Sequence, residues 1–149
     1  MLGNELNEFE ALLASLCENP EVVGAVLCDD EGEMVATSRG PAELPVGAEE
    51  QAVRHMPSAL SADVPAPEFL LRLGSAETCG PLRLMQRIAK RGAAGEVQIV
   101  AVRYRELDVL VHALPEDFYV VVFVRRPNLL AGLRARLEAV GQALSGQLQ

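Results

Sequence analysis

Apolar positions recur along this chain at two spacings, and the spacings divide it into elements. Leu6, Phe9, Leu13 and Leu16 repeat at intervals of three and four, with Glu5, Glu8 and Glu10 off the stripe. That spacing predicts an amphipathic helix from about Asn4 to Glu18, its glutamates suited to the positive N-terminal end. Asn19-Pro20 stops it, because the residue before proline avoids the helical region. Val22 to Cys28 is a short apolar run, Asp29-Asp30-Glu31-Gly32 a turn, and Met34 to Ser38 a second run. Together they predict a β-hairpin in which Gly32 is available for a positive φ.

From Arg39 to about Pro67 the periodicity dissolves, and five of the nine prolines lie between Pro41 and Pro67. A stretch this long is read as a functional loop or a partly disordered excursion. Helical order returns with Gly80 as N-cap and Pro81 as first helical residue, and Gly92 ends the helix. Leu82, Met85, Ile88 and Ala89 form its apolar stripe, and Arg83, Arg87, Lys90 and Arg91 form one basic face. Phe69 to Leu73 makes a further helical turn, which Gly74 separates from that helix.

A meander follows. Val97 to Arg105 alternates in part, placing Ile99, Ala101 and Arg103 opposite Val100, Val102 and Tyr104. Leu107 to Leu114 returns, with Leu110, His112 and Leu114 on one face. Phe118, Val120, Val122 and Val124 then alternate with Tyr119, Val121 and Phe123. Both faces of that last run are apolar, so it is an inner strand covered on both sides. Asn128 caps a final helix to Leu148, striped by Leu130, Leu133, Leu137, Val140, Leu144 and Leu148. The expected fold is α+β: a five-stranded, mainly antiparallel sheet with helices on both faces, in the order α-β-β-α-β-β-β-α.

Composition adds three things. At 149 residues the chain is read as one domain, residues 1–149, with an atypical Pro/Gly-rich insertion at about 40–80. No apolar segment approaches the roughly 20 residues that span a bilayer, and the first residues do not form a signal peptide. The expectation is a cytoplasmic protein without membrane insertion. The net charge is −8, and nine acidic residues from Glu5 to Glu33 precede the first basic one, Arg39. Such a chain is a poor non-specific ligand for nucleic acid. Its bases gather later, as a solvated helix face with strand ends or as a surface for an acidic partner.

Candidate chemistry is sparse. Cys17, Cys28 and Cys79 are odd in number and widely spaced, which fits neither a disulfide framework nor a zinc site. Cys17 and Cys28 fall in apolar stretches as small buried hydrophobes; Cys79 is the one to test for reactivity. The Asp29–Gly32 turn lacks the ligand ladder and distal glutamate of an EF-hand. Gly74 to Gly80 lacks the lysine and the spacing of a phosphate-binding loop, and there is no nucleophile elbow. Cys79 with His55 or His112 is the single enzyme candidate. His112 itself is read as a packed or edge histidine, and His55 as an exposed bystander. No catalytic residue, metal or cofactor is expected.

The hairpin Val22–Ser38, Val-Val-Gly-Ala-Val-Leu-Cys-Asp-Asp-Glu-Gly-Glu-Met-Val-Ala-Thr-Ser, resembles the first hairpin of the Roadblock family, which includes dynein light chains and MglB-type regulators of Ras-like GTPases. The leucine-striped first helix and Tyr119–Leu144 are similar as well, so the resemblance covers roughly two thirds of the chain. The departure lies at Gly40 to Gly80, where the family runs almost directly into its second helix. The resemblance implies a Roadblock/profilin-like fold and a homodimer whose second helix and first meander strand pair across a two-fold axis. It also implies a small Ras-like GTPase as partner, anchored or stimulated in its hydrolysis, with no nucleotide site on this chain. The residues it points to as partner or dimer interface are Leu82, Arg83, Met85, Arg87, Arg91, Val97, Ile99 and Arg103. Two other readings are a small-molecule sensing domain closed by Arg39–Gly80, and a structural subunit of a larger complex.

Overall fold

Tyr119–Val124 lies at the centre of a five-stranded sheet, and all six of its residues are buried. The computed structural model describes residues 2–43, 66–92, 95, 97–104, 106–125 and 130–148. Its elements are α1 (Leu2–Leu16), β1 (Val22–Cys28), β2 (Met34–Arg39), α2 (Ala66–Arg91), β3 (Ile99–Arg103), β4 (Asp108–Ala113), a 3-10 turn (Pro115–Asp117), β5 (Tyr119–Val124) and α3 (Leu130–Leu148). The sheet order is β2-β1-β5-β4-β3, antiparallel throughout.

The two faces of β5 serve two cores. Val120, Val122 and Val124 join Leu13 and Leu16 of α1 and Leu133, Leu137, Val140 and Leu144 of α3. Tyr119, Val121 and Phe123 face the other way, with Val109, Val111 and Leu82 of α2. The expected α+β architecture with helices on both faces is therefore present. It follows from β5, which can bury both faces only between two helical layers.

Turn chemistry at the first hairpin also matches the sequence. Gly32 has φ 85°, and the Asp29 carboxylate accepts the Glu31 and Glu33 amides at 3.0 and 2.9 Å. This is the Asx arrangement that lets an acidic residue close a turn. Between β4 and β5, Glu116 and Asp117 have φ of 62° and 59°, positive values that side-chain-bearing residues seldom adopt.

The second helix corrects the sequence reading. It does not open at Gly80–Pro81 but runs unbroken from Ala66 to Arg91, with Pro81 inside it. Gly74 does not interrupt it either. A Cβ at Gly74 would stand 2.8 Å from Cε1 of Phe123, so the missing side chain is what lets α2 lie close over β5. The last part of the Pro/Gly-rich stretch is thus helical, while residues 44–65, His55 among them, lie outside the described residues. So do the side chain of Cys79 and residues 126–129, which include the expected cap Asn128.

Candidate interaction surface on α2 and β3

β3 is an edge strand. It pairs with β4 from Ile99↔His112 to Arg103↔Asp108, and among the described residues no strand pairs with its other side. The sequence Ile-Val-Ala-Val-Arg carries its one charge at the end, so most of this edge lacks the lysines, prolines or bulges that usually block pairing. The opposite edge, β2, is interrupted by a bulge near Met34.

Beside β3, α2 is laid down with three sectors. Leu82 is 2% exposed and points into the sheet, while Ser75 is buried and Gln86 and Ala89 are half-buried. Leu84, Met85 and Ile88 are 58%, 41% and 62% exposed. Arg83, Arg87, Lys90 and Arg91 are exposed on the remaining side. The stripe expected from Leu82, Met85, Ile88 and Ala89 is therefore split: Leu82 and Ala89 turn inward, Met85 and Ile88 outward. A groove of about 210 Å³ runs between helix and strand, lined by Pro81, Leu82 and Met85 and by Val100, Val102 and Tyr104. Tyr104 at its rim is 58% exposed.

The residues singled out from the sequence lie on these two elements and the segment leading into β3. Arg83, Met85, Arg87 and Arg91 are exposed on α2, and Val97 and Ile99 are half-buried at the start of β3. Leu82 belongs to the core. Arg103 is exposed and lies 3.5 Å from Asp108, whose side chain is only 5% exposed, so it also neutralises a nearly buried carboxylate. Leu84 was not read from the sequence, and Tyr104 was read only as a position of the strand, not as part of this surface. The available signal was Leu84 with Ile88, an apolar i,i+4 pair off the sheet-facing stripe.

Elsewhere, the candidate residues that the structure describes, Cys17, Cys28 and His112, are packed. Cys17 and Cys28 are buried thiols. Burial pushes the Cys17 thiol above its ordinary value of 9.0, against its hydrogen bond with the Ser38 carbonyl at 3.5 Å. His112 bonds the Ala113 carbonyl through Nδ1 at 2.8 Å and stacks on α3, where a Cβ at Gly141 would come within 2.7 Å of its ring. A wider, open groove of about 620 Å³ crosses the end of the sheet between Lys90, His112, Glu116, Glu138 and Gln142. Among the described residues no three histidine, cysteine or carboxylate groups gather as a metal site. No described helix is long and apolar enough to cross a membrane.

No family model and no curated protein matches the sequence. Solved structures do match the fold. MglB of Myxococcus xanthus is 13% identical, with 97% of each chain covered and a TM-score of 0.69. The gliding protein MglB of Thermus thermophilus is 15% identical over 95% of this chain and 88% of that one, TM-score 0.70. A Roadblock/LC7 domain of Streptomyces avermitilis is 18% identical over 93% and 96%, TM-score 0.67. At such identities the likeness speaks for architecture. The chain has the Roadblock/LC7 fold.

Proposed function

We propose that the protein is a non-catalytic, homodimeric regulator or scaffold that binds a small Ras-like GTPase, with stimulation of GTP hydrolysis as its expected effect. The observation that carries this reading is the free edge of β3 beside an exposed apolar sector of α2, in a chain that shares its fold with MglB. Fold alone does not assign function; the exposed face is what narrows it. Monomeric surfaces seldom leave Leu84, Met85, Ile88 and Tyr104 together in water, whereas subunit interfaces use such patches. Two β3 edges related by a two-fold axis would hydrogen-bond into one continuous sheet, and the α2 helices would cover each other's apolar sectors. A platform of this kind acts by contact: it orders the GTPase's own residues and brings no nucleotide site.

The test is retention of a Ras-like GTPase from the same cell on the immobilised protein, with the GTPase loaded with GTP or GDP, alongside its rate of GTP hydrolysis. Nucleotide-dependent retention is expected, with faster hydrolysis if the protein is an activator. Equal or absent retention contradicts the reading. The 620 Å³ groove favours one alternative, a small-molecule sensor. A thermal-shift screen in which a metabolite stabilises the protein, and a Gln142 substitution abolishes the effect, would support it.

A further inference from the structure

We propose that the groove across the end of the sheet binds a short zwitterionic peptide, a di- or tripeptide with free ends. The inference rests on the sensor reading of that groove and names its ligand; it depends on neither self-association nor a GTPase. Its first support is the groove's place. α2 and α3 cover opposite faces of the sheet, so a space lined by Lys90 of the one and by Glu138 and Gln142 of the other reaches round the sheet's end. It passes the start of β3 at Gln98 and the end of β4 at Leu114, and does not follow the free edge of β3. Its volume of about 620 Å³ is that of a small-molecule site.

The second support is charge that stays apart. Lys90, Glu116 and Asp117 line the groove, and their side chains have no ion pair or hydrogen bond among the described residues. Glu138 on the α3 wall is shared with Arg134 at 3.4 Å. A cation and two carboxylates thus face one space without meeting. The turn holds those carboxylates at a cost in backbone strain, with φ of 62° and 59°. A ligand with an ammonium group at one end and a carboxylate at the other meets both. A free amino acid carries its two charges on one carbon, whereas a peptide spaces them by about 3.3–3.6 Å per residue.

Between the charges the groove offers what a peptide backbone needs. Nδ1 of His112 donates to the Ala113 carbonyl at 2.8 Å, which leaves Nε2 the acceptor of the neutral ring. Nε2 has no partner among the described residues and is not buried. A Cβ at Gly141 would stand 2.7 Å from it, so glycine there keeps the atom open. Gln98 and Gln142 each donate and accept, as peptide amides do in return. Leu114 and Pro115 add apolar contact. One lysine among three carboxylates repels a polyphosphate, and a polyamine would set a like charge against Lys90.

The test is isothermal titration calorimetry on the full chain at low salt. The probes are trialanine and trileucine, each free, N-acetylated or C-amidated, and the variants are Lys90→Met and Glu116→Gln with Asp117→Asn. At least one free peptide is expected to bind at millimolar concentration, and either cap to weaken it about tenfold or more. Lys90→Met should weaken the free peptide as amidation does and leave the amidated one unaffected; the acidic variant should stand in the same relation to acetylation. The capped peptides make the comparison on the wild-type chain, so a variant that misfolds does not decide the outcome. No binding of either free peptide overturns the proposal, as does equal binding of free and capped forms. A metabolite of other charge that stabilises the protein through Gln142, while both peptides leave it unchanged, keeps the sensor reading and overturns this one.

Discussion

Two glycines set how closely the helical layers approach the sheet. Gly74 of α2 faces the Phe123 ring on one side, and Gly141 of α3 faces the His112 ring on the other. Alanine at either position gains about 1 kcal/mol of helix propensity but forces a Cβ into contacts of 2.8 and 2.7 Å. Overpacking of that kind costs about 1–3 kcal/mol, so both substitutions are expected to be neutral to destabilising, by up to about 2 kcal/mol in urea unfolding. Adding Phe123→Leu to Gly74→Ala should recover part of any loss; a purely additive double mutant would show that the ring is not the obstacle. The raised Cys17 gives a second residue-scale expectation. Its contribution is present while the thiol is protonated in both states, below 9.0, and is lost as pH rises through the higher folded value. Wild-type stability should therefore fall between about pH 8 and about pH 10 by more than that of Cys17→Ala. Sequence showed Cys17 as a buried thiol because it lies in an apolar run. It could not show Gly74 as a contact, since a glycine in a helical pattern reads as a breaker until its neighbour across space is known.

Among the elements, β5 was legible and α2 was not. β5 carries apolar side chains on both faces, and only a central strand accommodates that; Val122 is 0% exposed and pairs with Ala25 and Leu110. Val122→Asp places a carboxylate between them without a partner, at a cost of several kcal/mol, comparable to total stability. Soluble, cooperatively folding Val122→Asp protein would contradict the central placement. α2 was misread because its apolar positions divide between sheet packing and exposed surface, and periodicity alone does not say which of them the sheet covers. Proline at position 81 added to the error, since proline normally opens a helix and here lies within one. Pro81→Ala restores a helix-forming residue, worth up to about 3 kcal/mol before the lost groove packing is counted. A raised melting temperature is expected, and a lowered one would mean that the ring's packing against the groove outweighs its backbone penalty.

At the scale of the whole molecule, two helical layers satisfy the sheet's faces but leave the β3 edge and one side of α2 in water. The basic row was readable from spacing alone, because four cations within nine residues need no fold to be noticed. The apolar sector needed the fold. Its proposed consequence is self-association, which sedimentation equilibrium at micromolar concentration tests without any partner in hand. The wild type should sediment at twice the chain mass of 16.0 kDa, and Leu84→Asp with Ile88→Asp should sediment at one chain mass with an unchanged far-ultraviolet spectrum. A wild type that stays monomeric, or a double variant that remains dimeric, would contradict an account built on the α2–β3 face.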